Sequence, residues 1–370
     1  MNLRSVEIRN DGKRILELDG LRAFAILAVF LYHVWGFPLS WMGVDIFFVL
    51  SGFLITGVLL ERKLKPDYFS RFYRRRARRI LVPYYLLLVL SSVLFGVTWM
   101  KQWYWYIFFA SNVPSAFHSV THQSLDVLWS LAVEEQFYLI WPIAILFLSE
   151  TALVWLAIML IGLAPLLRGF ATSFVSSSAP IYNLMPFRMD LLAAGALVAI
   201  LFRRSPAQIR ELPFLGPTLV ACAAGALVSL SHFASFRTSA NIQFNNVVLF
   251  SFTLSIAVGL LLWALQGKGL FPAILRLRVL RFVGQISYSM YLVHVCFILL
   301  AERWFSSRWA VFALALCATL VYSTVSWFVI EKRLLHRTSR KSADQQLATH
   351  SLPVPLVKAE NEVVAVEQCA

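Results

Sequence analysis

The chain has 370 residues, of which 59% are hydrophobic and only 14% are charged, and its mean hydropathy is +0.71. This composition excludes an ordinary soluble domain, in which about half of the residues are apolar and about a quarter are charged. It predicts a polytopic membrane protein. The formal net charge of +14 does not indicate a nucleic-acid partner, because excess Lys and Arg in a membrane protein mark the cytoplasmic loops.

Apolar stretches recur along the chain, and a helix needs about 20 such residues to cross a bilayer. We predict an all-α polytopic bundle of about ten transmembrane helices, near residues 20–38, 43–60, 80–99, 127–148, 151–168, 189–203, 214–232, 246–266, 282–300 and 309–330. The predicted domains are a cytoplasmic N-terminal segment at 1–18, a membrane domain at 19–333 and a cytoplasmic tail at 334–370. The polar composition of the tail predicts disorder.

Lys and Arg are distributed unequally between the loops that join these helices. With the N-terminus placed inside, 26 of the 33 basic residues fall on the inner side and 6 on the outer side. The positive-inside rule therefore predicts that both termini are cytoplasmic. The four cysteines show no paired spacing and three of them lie within predicted helices, so neither a disulfide framework nor a metal site is expected.

Polar side chains occur inside the apolar segments, where a charged group costs about 2.5 to 3.5 kcal/mol at the bilayer centre. In chain order they are Asp19, Arg22, His33, Asp45, Ser51, Glu134, Glu135, Arg188, Asp190, Ser287, Tyr288 and His294. Each has a structural explanation when taken singly. A membrane histidine commonly forms an interhelical hydrogen bond, and Arg188 with Asp190 fits an ion pair at a helix start. Their occurrence together at compatible depths favours a functional site.

Arg22 and His33 are eleven residues apart in the first predicted helix. At 100° per residue they project from one face, about 16.5 Å apart along the axis, so they share a groove but cannot act on one atom. With the N-terminus inside, His33 lies in the outer half of the membrane, at a depth similar to that of Glu134. We hypothesise that Glu134 lies beside His33, because a carboxylate there would fix the imidazole tautomer and strengthen a general base.

The stretch FYRRRARRI at 72–80 is strongly basic. Orientation alone would explain a basic loop at this position. However, Arg75, Arg76 and Arg79 recur at one-turn spacing directly before an apolar span, and guanidinium groups capture phosphates with two hydrogen bonds. A cytosolic ligand that carries phosphates is therefore the second interpretation of this stretch.

Six stretches resemble, in the same order, the signature blocks of the membrane acyltransferase 3 family. They are LDGLRAFAILAVFLYH (18–33), GVDIFFVLSGFLIT (43–56), FYRRRARRI (72–80), LWSLAVEEQFYLIWP (128–142), FRMDLLAAGALVA (187–199) and ISYSMYLVH (286–294). The resemblance runs from about residue 15 to 333 and implies the short, single-domain type that O-acetylates glycans. The chain departs from the pattern at Pro83, which comes one residue later than usual, and at Arg333, which replaces the proline of the closing block.

The resemblance implies that His33 is the catalytic histidine and that Arg22 is its paired arginine, and it matches Glu134 to a family block. With the hypothesis from depth, the predicted catalytic residues are His33, Glu134 and Arg22. It also implies that the cytoplasmic arginines bind the coenzyme A of the acyl donor. These predicted cofactor-binding residues are Arg75, Arg76 and Arg79. The remaining predicted substrate-binding or supporting residues are Asp45, Ser51, Glu135, Arg188, Asp190, Tyr288 and His294.

The expected function is an O-acyltransferase, with acetyl-coenzyme A as cytoplasmic donor and a carbohydrate hydroxyl as acceptor, as in exopolysaccharide, lipopolysaccharide O-antigen or another glycoconjugate. A bacterial inner membrane is the expected location, with membrane lipids as partners and with neither metal nor nucleic acid. The sequence leaves open direct transfer or an acyl-enzyme, and the oligomeric state. A transporter or flippase of a glycan or lipid intermediate, and a non-catalytic assembly protein, are the alternatives; neither of these needs a coenzyme site.

Overall fold

The computed structural model describes residues 9–10, 13–120, 122–231 and 241–332, and the predicted tail at 334–370 lies outside this range. Helices dominate it, as the sequence predicts. Apart from them, two-residue strands at Arg9–Asn10 and Lys13–Arg14 pair in antiparallel fashion ahead of the first helix. The prediction of an all-α polytopic bundle is therefore confirmed.

Fifteen α-helices follow one another in the part of the chain that the structure describes. Their bounds are α1 Glu17–Trp35, α2 Gly43–Arg62, α3 Tyr68–Phe95, α4 Trp103–Ile107, α5 Asn112–Ala116, α6 Leu128–Phe147, α7 Glu150–Ala171, α8 Ala179–Asn183, α9 Met189–Arg204, α10 Pro206–Glu211, α11 Leu215–Ser231, α12 Phe250–Gln266, α13 Leu270–Leu275, α14 Arg278–Glu302 and α15 Arg308–Ser326. Two π-helical turns extend this set, at Asn245–Leu249 before α12 and at Trp327–Glu331 after α15.

Eight of the described helices are long and apolar enough to cross a membrane. With their flanking turns they are Glu17–Trp35, Ser40–Arg62, Tyr68–Phe95, Gln123–Phe147, Glu150–Ala171, Asn245–Gln266, Arg278–Glu302 and Arg308–Glu331. The other two predicted spans are also helical, but α9 has 16 residues and α11 has 17. Both are shorter than the other eight, so eight of the ten predicted spans are long and apolar enough to cross a membrane in the part of the chain that the structure describes.

Close contacts fix the relative direction of α1 and α14. Gly284 of α14 meets the backbone of Asp19, and His294 of the same helix lies beside His33, so α1 and α14 run in parallel. We call the end of the bundle where α1 begins the Glu17 end, and the opposite end the Trp35 end. The cytoplasmic placement of both chain termini stays a prediction.

Helices α2 and α9 cross at close range in the core, and two glycines make this approach possible. A Cβ atom on Gly195 would lie 2.0 Å from the carbonyl oxygen of Val49, and one on Gly52 would lie 2.0 Å from that of Leu192. Small residues let helix backbones approach within a membrane, where packing rather than the hydrophobic effect holds helices together. This crossing therefore sets the position of α2 relative to the rest of the bundle.

Two buried ion pairs join α2, α7 and α9 at the Trp35 end. Arg188 pairs with Asp45, and Arg168 pairs with Asp190 at 2.7 Å, with all four side chains at most 1% exposed. The Arg188 guanidinium also lies 4.8 Å from the ring centroid of Phe250. The alternative in which Arg188 pairs with Asp190 is wrong, because each of them faces a different neighbouring helix.

We expect Gly195→Ala to destabilise the protein, because its methyl group meets backbone atoms of α2 that cannot move independently. Overpacking of this kind costs about 1 to 3 kcal/mol, which thermal unfolding of the detergent-purified protein would register as a lower midpoint. Gly225→Ala is the matched control, since a Cβ atom there meets nothing within 4 Å. Equal thermal unfolding midpoints for Gly195→Ala and Gly225→Ala would contradict the close approach of α2 and α9.

We also expect Arg188→Met to lower the unfolding midpoint strongly, because it leaves Asp45 buried without its partner. Removing one member of a buried pair costs about 3 to 5 kcal/mol. The control is Arg204→Met in the same helix, where an exposed pair with Glu150 at 3.3 Å is worth at most about 1 kcal/mol. Adding Asp45→Leu to Arg188→Met should recover part of the loss; no recovery would argue against the pair as the cause.

Candidate functional site

A cavity with about 820 Å³ of empty space, its open mouth included, lies between α1, α2, α3, α6 and α14. Arg22 lines the part nearer the Glu17 end, and Val44 and Leu292 line the part nearer the Trp35 end. Six of the residues predicted from sequence face this one cavity: Arg22, Ser51, Arg76, Arg79, Glu134 and Tyr288. Five helices that are far apart in sequence therefore meet at a single polar chamber.

Three arginines give one wall of the cavity its positive charge. Arg22 comes from the second turn of α1, and Arg76 and Arg79 lie one turn apart on α3. The Arg76 guanidinium stacks 3.8 Å from the ring centroid of Tyr138, a cation–π contact that holds the long side chain in place. Arg79 interacts electrostatically with Glu331, so one arginine is braced by a ring and the other by a carboxylate.

Glu331 contacts α14 and lies outside the cavity lining. Its Oε1 atom accepts hydrogen bonds from Ser289 at 2.5 Å and from Ser326 at 3.2 Å, and the side chain is buried. The π-helical turn Trp327–Glu331 delivers this carboxylate at the end of α15. A carboxylate placed there supplies a counter-charge to Arg79 without entering the cavity.

Glu134 is the acidic group of the cavity. Ser51 donates a hydrogen bond to its Oε1 atom at 2.8 Å, and the hydroxyl of Tyr138 donates to Oε2 at 3.0 Å. Arg22 and Arg76 are the cations that this carboxylate faces. Glu134 thus links α2 and α6 to the basic wall.

The hypothesised contact between Glu134 and His33 is wrong, since the hydrogen-bond partners of Glu134 are Ser51 and Tyr138. Depth in the membrane places two groups on one level, but helix packing decides whether they meet. Helix α1 packs mainly against α2 and α14, whereas α6 packs against α2, on the side that carries Ser51. The partner of His33 comes instead from α14.

Two predicted residues lie outside the cavity lining although their sequence neighbours form it. Arg75 interacts electrostatically with Arg62, Asp67 and Arg71, which places it among the charges around the turn between α2 and α3. Glu135 interacts with Arg76 but is absent from the cavity wall. The structure thus divides the basic stretch: Arg76 and Arg79 face the chamber, and Arg75 does not.

His33 and His294 form a pair near the Trp35 end. Nε2 of His294 lies 3.3 Å from Nδ1 of His33, and the two rings meet edge to face with centroids 4.8 Å apart. His294 is fully buried, whereas the His33 side chain is exposed. The exposed member is the one predicted to be catalytic.

Backbone carbonyls assign the tautomers of both rings. Nδ1 of His294 lies 2.6 Å from the Tyr291 carbonyl oxygen, and Nδ1 of His33 lies 2.9 Å from that of Val29. A carbonyl only accepts, so each Nδ1 carries the proton in the neutral ring and each Nε2 carries the lone pair. His294 Nε2 accepts from His33, and in the described part of the chain His33 Nε2 makes no hydrogen bond. This lone pair is available as a base.

Tyr291 connects the cavity to the histidine pair. Its side chain lines the cavity, and its ring centroid lies 5.6 Å from that of His294. The other three predicted residues, Asp45, Arg188 and Asp190, belong to the buried ion pairs and not to the cavity lining. Within residues 13–120, 122–231 and 241–332 there is no cluster of three or more His, Cys, Asp or Glu side chains suited to a metal ion.

Several site residues were missed from sequence, and some of them had a signal. Tyr138 lies four residues after Glu134 and Tyr291 three before His294, so each shares a helix face with a predicted residue. Arg168 ends a predicted span and was counted only as a loop charge. Glu331 directly follows the last predicted span and belongs to the closing block that ends at Arg333, but its partners Ser289 and Ser326 look like ordinary small residues of a membrane helix.

The chain matches known proteins in two of three comparisons. The family model described as an acyltransferase domain (acyltransferase 3) matches residues 15–330. A peptidoglycan O-acetyltransferase of Listeria monocytogenes, OatA, is 40% identical over 155 residues, which are 36% of this chain and 24% of that protein. The O-acetyltransferase OatA of Staphylococcus aureus is 27% identical over 317 residues, 78% of this chain and 51% of that protein.

A putative peptidoglycan O-acetyltransferase of Bacillus subtilis, YrhL, is 42% identical over 150 residues, which are 34% of this chain and 23% of that protein. The chain thus spans about half or less of the length of these relatives. No solved structure matches it. Because the family model covers most of the chain and all of the helices that surround the cavity, the chain belongs to the membrane acyltransferase 3 family.

Proposed function

We propose that the protein is a multi-pass membrane O-acetyltransferase that moves an acetyl group from acetyl-coenzyme A to a hydroxyl group of a carbohydrate. The observation that carries this proposal is one cavity with arginines on one wall, together with a histidine pair beyond its other end in which the Nε2 lone pair of His33 is available as a base. Family membership supplies the reaction class, and the named O-acetyltransferase relatives support acetyl as the acyl group. The remaining steps assign the donor, the base and the acceptor.

The basic wall suits the phosphates of the donor. Arg22, Arg76 and Arg79 present guanidinium groups to one chamber, and such groups bind phosphate oxygens with paired, charge-assisted hydrogen bonds. Arg76 keeps its position on the ring of Tyr138 at 3.8 Å, which lowers the entropy lost when it binds a ligand. The negative end of the coenzyme would stay here while its narrow arm extends toward the Trp35 end.

The histidine pair suits the acyl-transfer step. His33 Nε2 would take the proton of the acceptor hydroxyl as its oxygen attacks the thioester carbonyl carbon. The C–O bond forms, the C–S bond breaks, and the proton leaves His33 for the departing thiolate. An acyl-histidine route begins with the same lone pair as nucleophile. His294 holds the ring of His33 in the required tautomer in both routes.

The distribution of charge supports the sidedness of the reaction. The unequal loops, with 26 basic residues against 6, support a cytoplasmic Glu17 end, where the coenzyme is available, and a bacterial inner membrane as the location. His33 would then work near the outer surface, where envelope carbohydrates are exposed. The relatives named for peptidoglycan support a glycan as the acceptor class.

We expect His33→Ala to abolish O-acetylation of the acceptor glycan, because a general base contributes about 10²- to 10⁴-fold to such a reaction. NMR of surface glycans from a deletion strain complemented with each variant measures the O-acetyl signal, with the protein level checked in the same membranes. His118→Ala is the control, since His118 is an exposed histidine outside the cavity. Full O-acetylation by His33→Ala would refute the catalytic assignment.

We expect the double variant Arg76→Gln/Arg79→Gln to bind acetyl-coenzyme A at least about 10-fold more weakly, because each lost charge-assisted hydrogen bond is worth about 1.5 to 3 kcal/mol. Equilibrium dialysis of the purified protein with radiolabelled acetyl-coenzyme A gives the dissociation constant. Arg74→Gln/Arg78→Gln removes the same charge from the same helix, outside the cavity lining. Equal dissociation constants of the two double variants for acetyl-coenzyme A would mean that the basic stretch at 72–80 only marks the orientation in the membrane.

A further inference from the structure

Tyr291 occupies the boundary between the donor cavity and the histidine pair. Its side chain lines the cavity, its ring centroid is 5.6 Å from that of His294, and its carbonyl oxygen lies 2.6 Å from the Nδ1 atom of that histidine. A donor that is held by Arg76 and Arg79 therefore has this ring between its phosphates and the base. Tyr291 is placed to control what reaches His33.

The ring of Tyr291 is fixed on two sides. Its hydroxyl lies 2.6 Å from Ser130 Oγ and 3.2 Å from the carbonyl oxygen of Val127, both on or next to α6. Its face meets Phe47 of α2 with ring centroids 6.0 Å apart. Ser130 and Phe47 line the cavity as well, and we call these three side chains, Tyr291, Ser130 and Phe47, the neck.

The neck differs from the rest of the cavity wall in its stiffness. The arginines are long side chains with several torsions, held near their ends by a ring or a carboxylate, whereas the neck consists of two aromatic rings and a short hydroxyl side chain joined by a hydrogen bond. An aromatic ring has only two side-chain torsions, and here one end is tied to α6 and the other belongs to α14. A longer acyl chain would have to displace the ring and break its hydrogen bonds to pass.

We propose that the neck selects the acyl group by length, so that acetyl reaches His33 and longer acyl groups do not. The inference rests on the proposed function, because it presupposes a coenzyme A thioester in the cavity. It assigns Tyr291, Ser130 and Phe47 as specificity-determining residues that act on the acyl chain. The arginine wall binds the coenzyme part, which all acyl donors share, and so cannot make this distinction.

The test compares wild type, Tyr291→Phe and Phe47→Leu in inverted membrane vesicles that contain the native acceptor. Tyr291→Phe keeps the ring and removes its hydrogen bonds, and Phe47→Leu widens the opposite side. Radiolabelled acetyl-, propionyl- and butyryl-coenzyme A are supplied separately, and label is counted as base-labile ester in the carbohydrate fraction. Tyr85→Phe on α3, an exposed tyrosine outside the neck, is the matched control.

We expect both neck variants to raise the butyryl-to-acetyl transfer ratio by about 10-fold, since a pocket discriminates by roughly this factor for one or two methylene groups. The control should keep the wild-type ratio. A variant that only destabilises the fold lowers transfer from every acyl donor by the same factor and does not change the butyryl-to-acetyl ratio. The ratio therefore separates selection by the neck from a loss of stability.

An unchanged butyryl-to-acetyl ratio in both neck variants, with acetyl transfer still measurable, would refute selection of the acyl group by the neck. The proposed function would not be affected by that result. Equal transfer of butyryl and acetyl groups by the wild type would refute this selection as well. No transfer from any acyl-coenzyme A by wild-type vesicles that contain the protein would overturn the proposed donor, and this inference with it. Binding of butyryl-coenzyme A by dialysis should be the same in all variants.

Discussion

The rest of the structure depends on one constraint, the cost of keeping charged groups inside an apolar helical bundle. A charge near the bilayer centre must have a partner or a cavity, and the described residues use both solutions. Arg188 with Asp45 and Arg168 with Asp190 are paired away from the cavity lining and hold α2, α7 and α9 together. Arg22, Arg76, Arg79 and Glu134 share the cavity instead. The same constraint thus separates groups that build the scaffold from groups that line the cavity.

The cavity and the histidine pair are different environments, and the side chain of Tyr291 touches both. The arginine wall attracts anions, whereas each ring of the histidine pair turns its Nδ1 atom to a backbone carbonyl oxygen. A thioester donor matches this division, because its charge lies at one end and its reactive carbon at the other.

Helix periodicity was enough to predict much of the fold and part of the site. The spacing of Arg22 and His33 needs only the geometry of one helix, but the groove predicted for both holds only one of them, since Arg22 lines the cavity and His33 does not. The partner of Glu134 could not be predicted, because it depends on which helices pack together, and hydropathy gives depth without neighbours. The division between Arg75 and Arg76 has the same origin: a rotation of 100° on α3 decides which arginine meets the cavity.

The single helix α1 carries both Arg22 and His33, so the helix geometry fixes the distance between these two residues. One residue inserted between them would lengthen the interval by about 1.5 Å and turn His33 by about 100° away from His294. Loops elsewhere in the bundle tolerate changes in length, since they alter neither spacing nor angle between functional groups. The eleven-residue interval in α1 therefore sets both the distance and the angle between the cavity and the histidine pair.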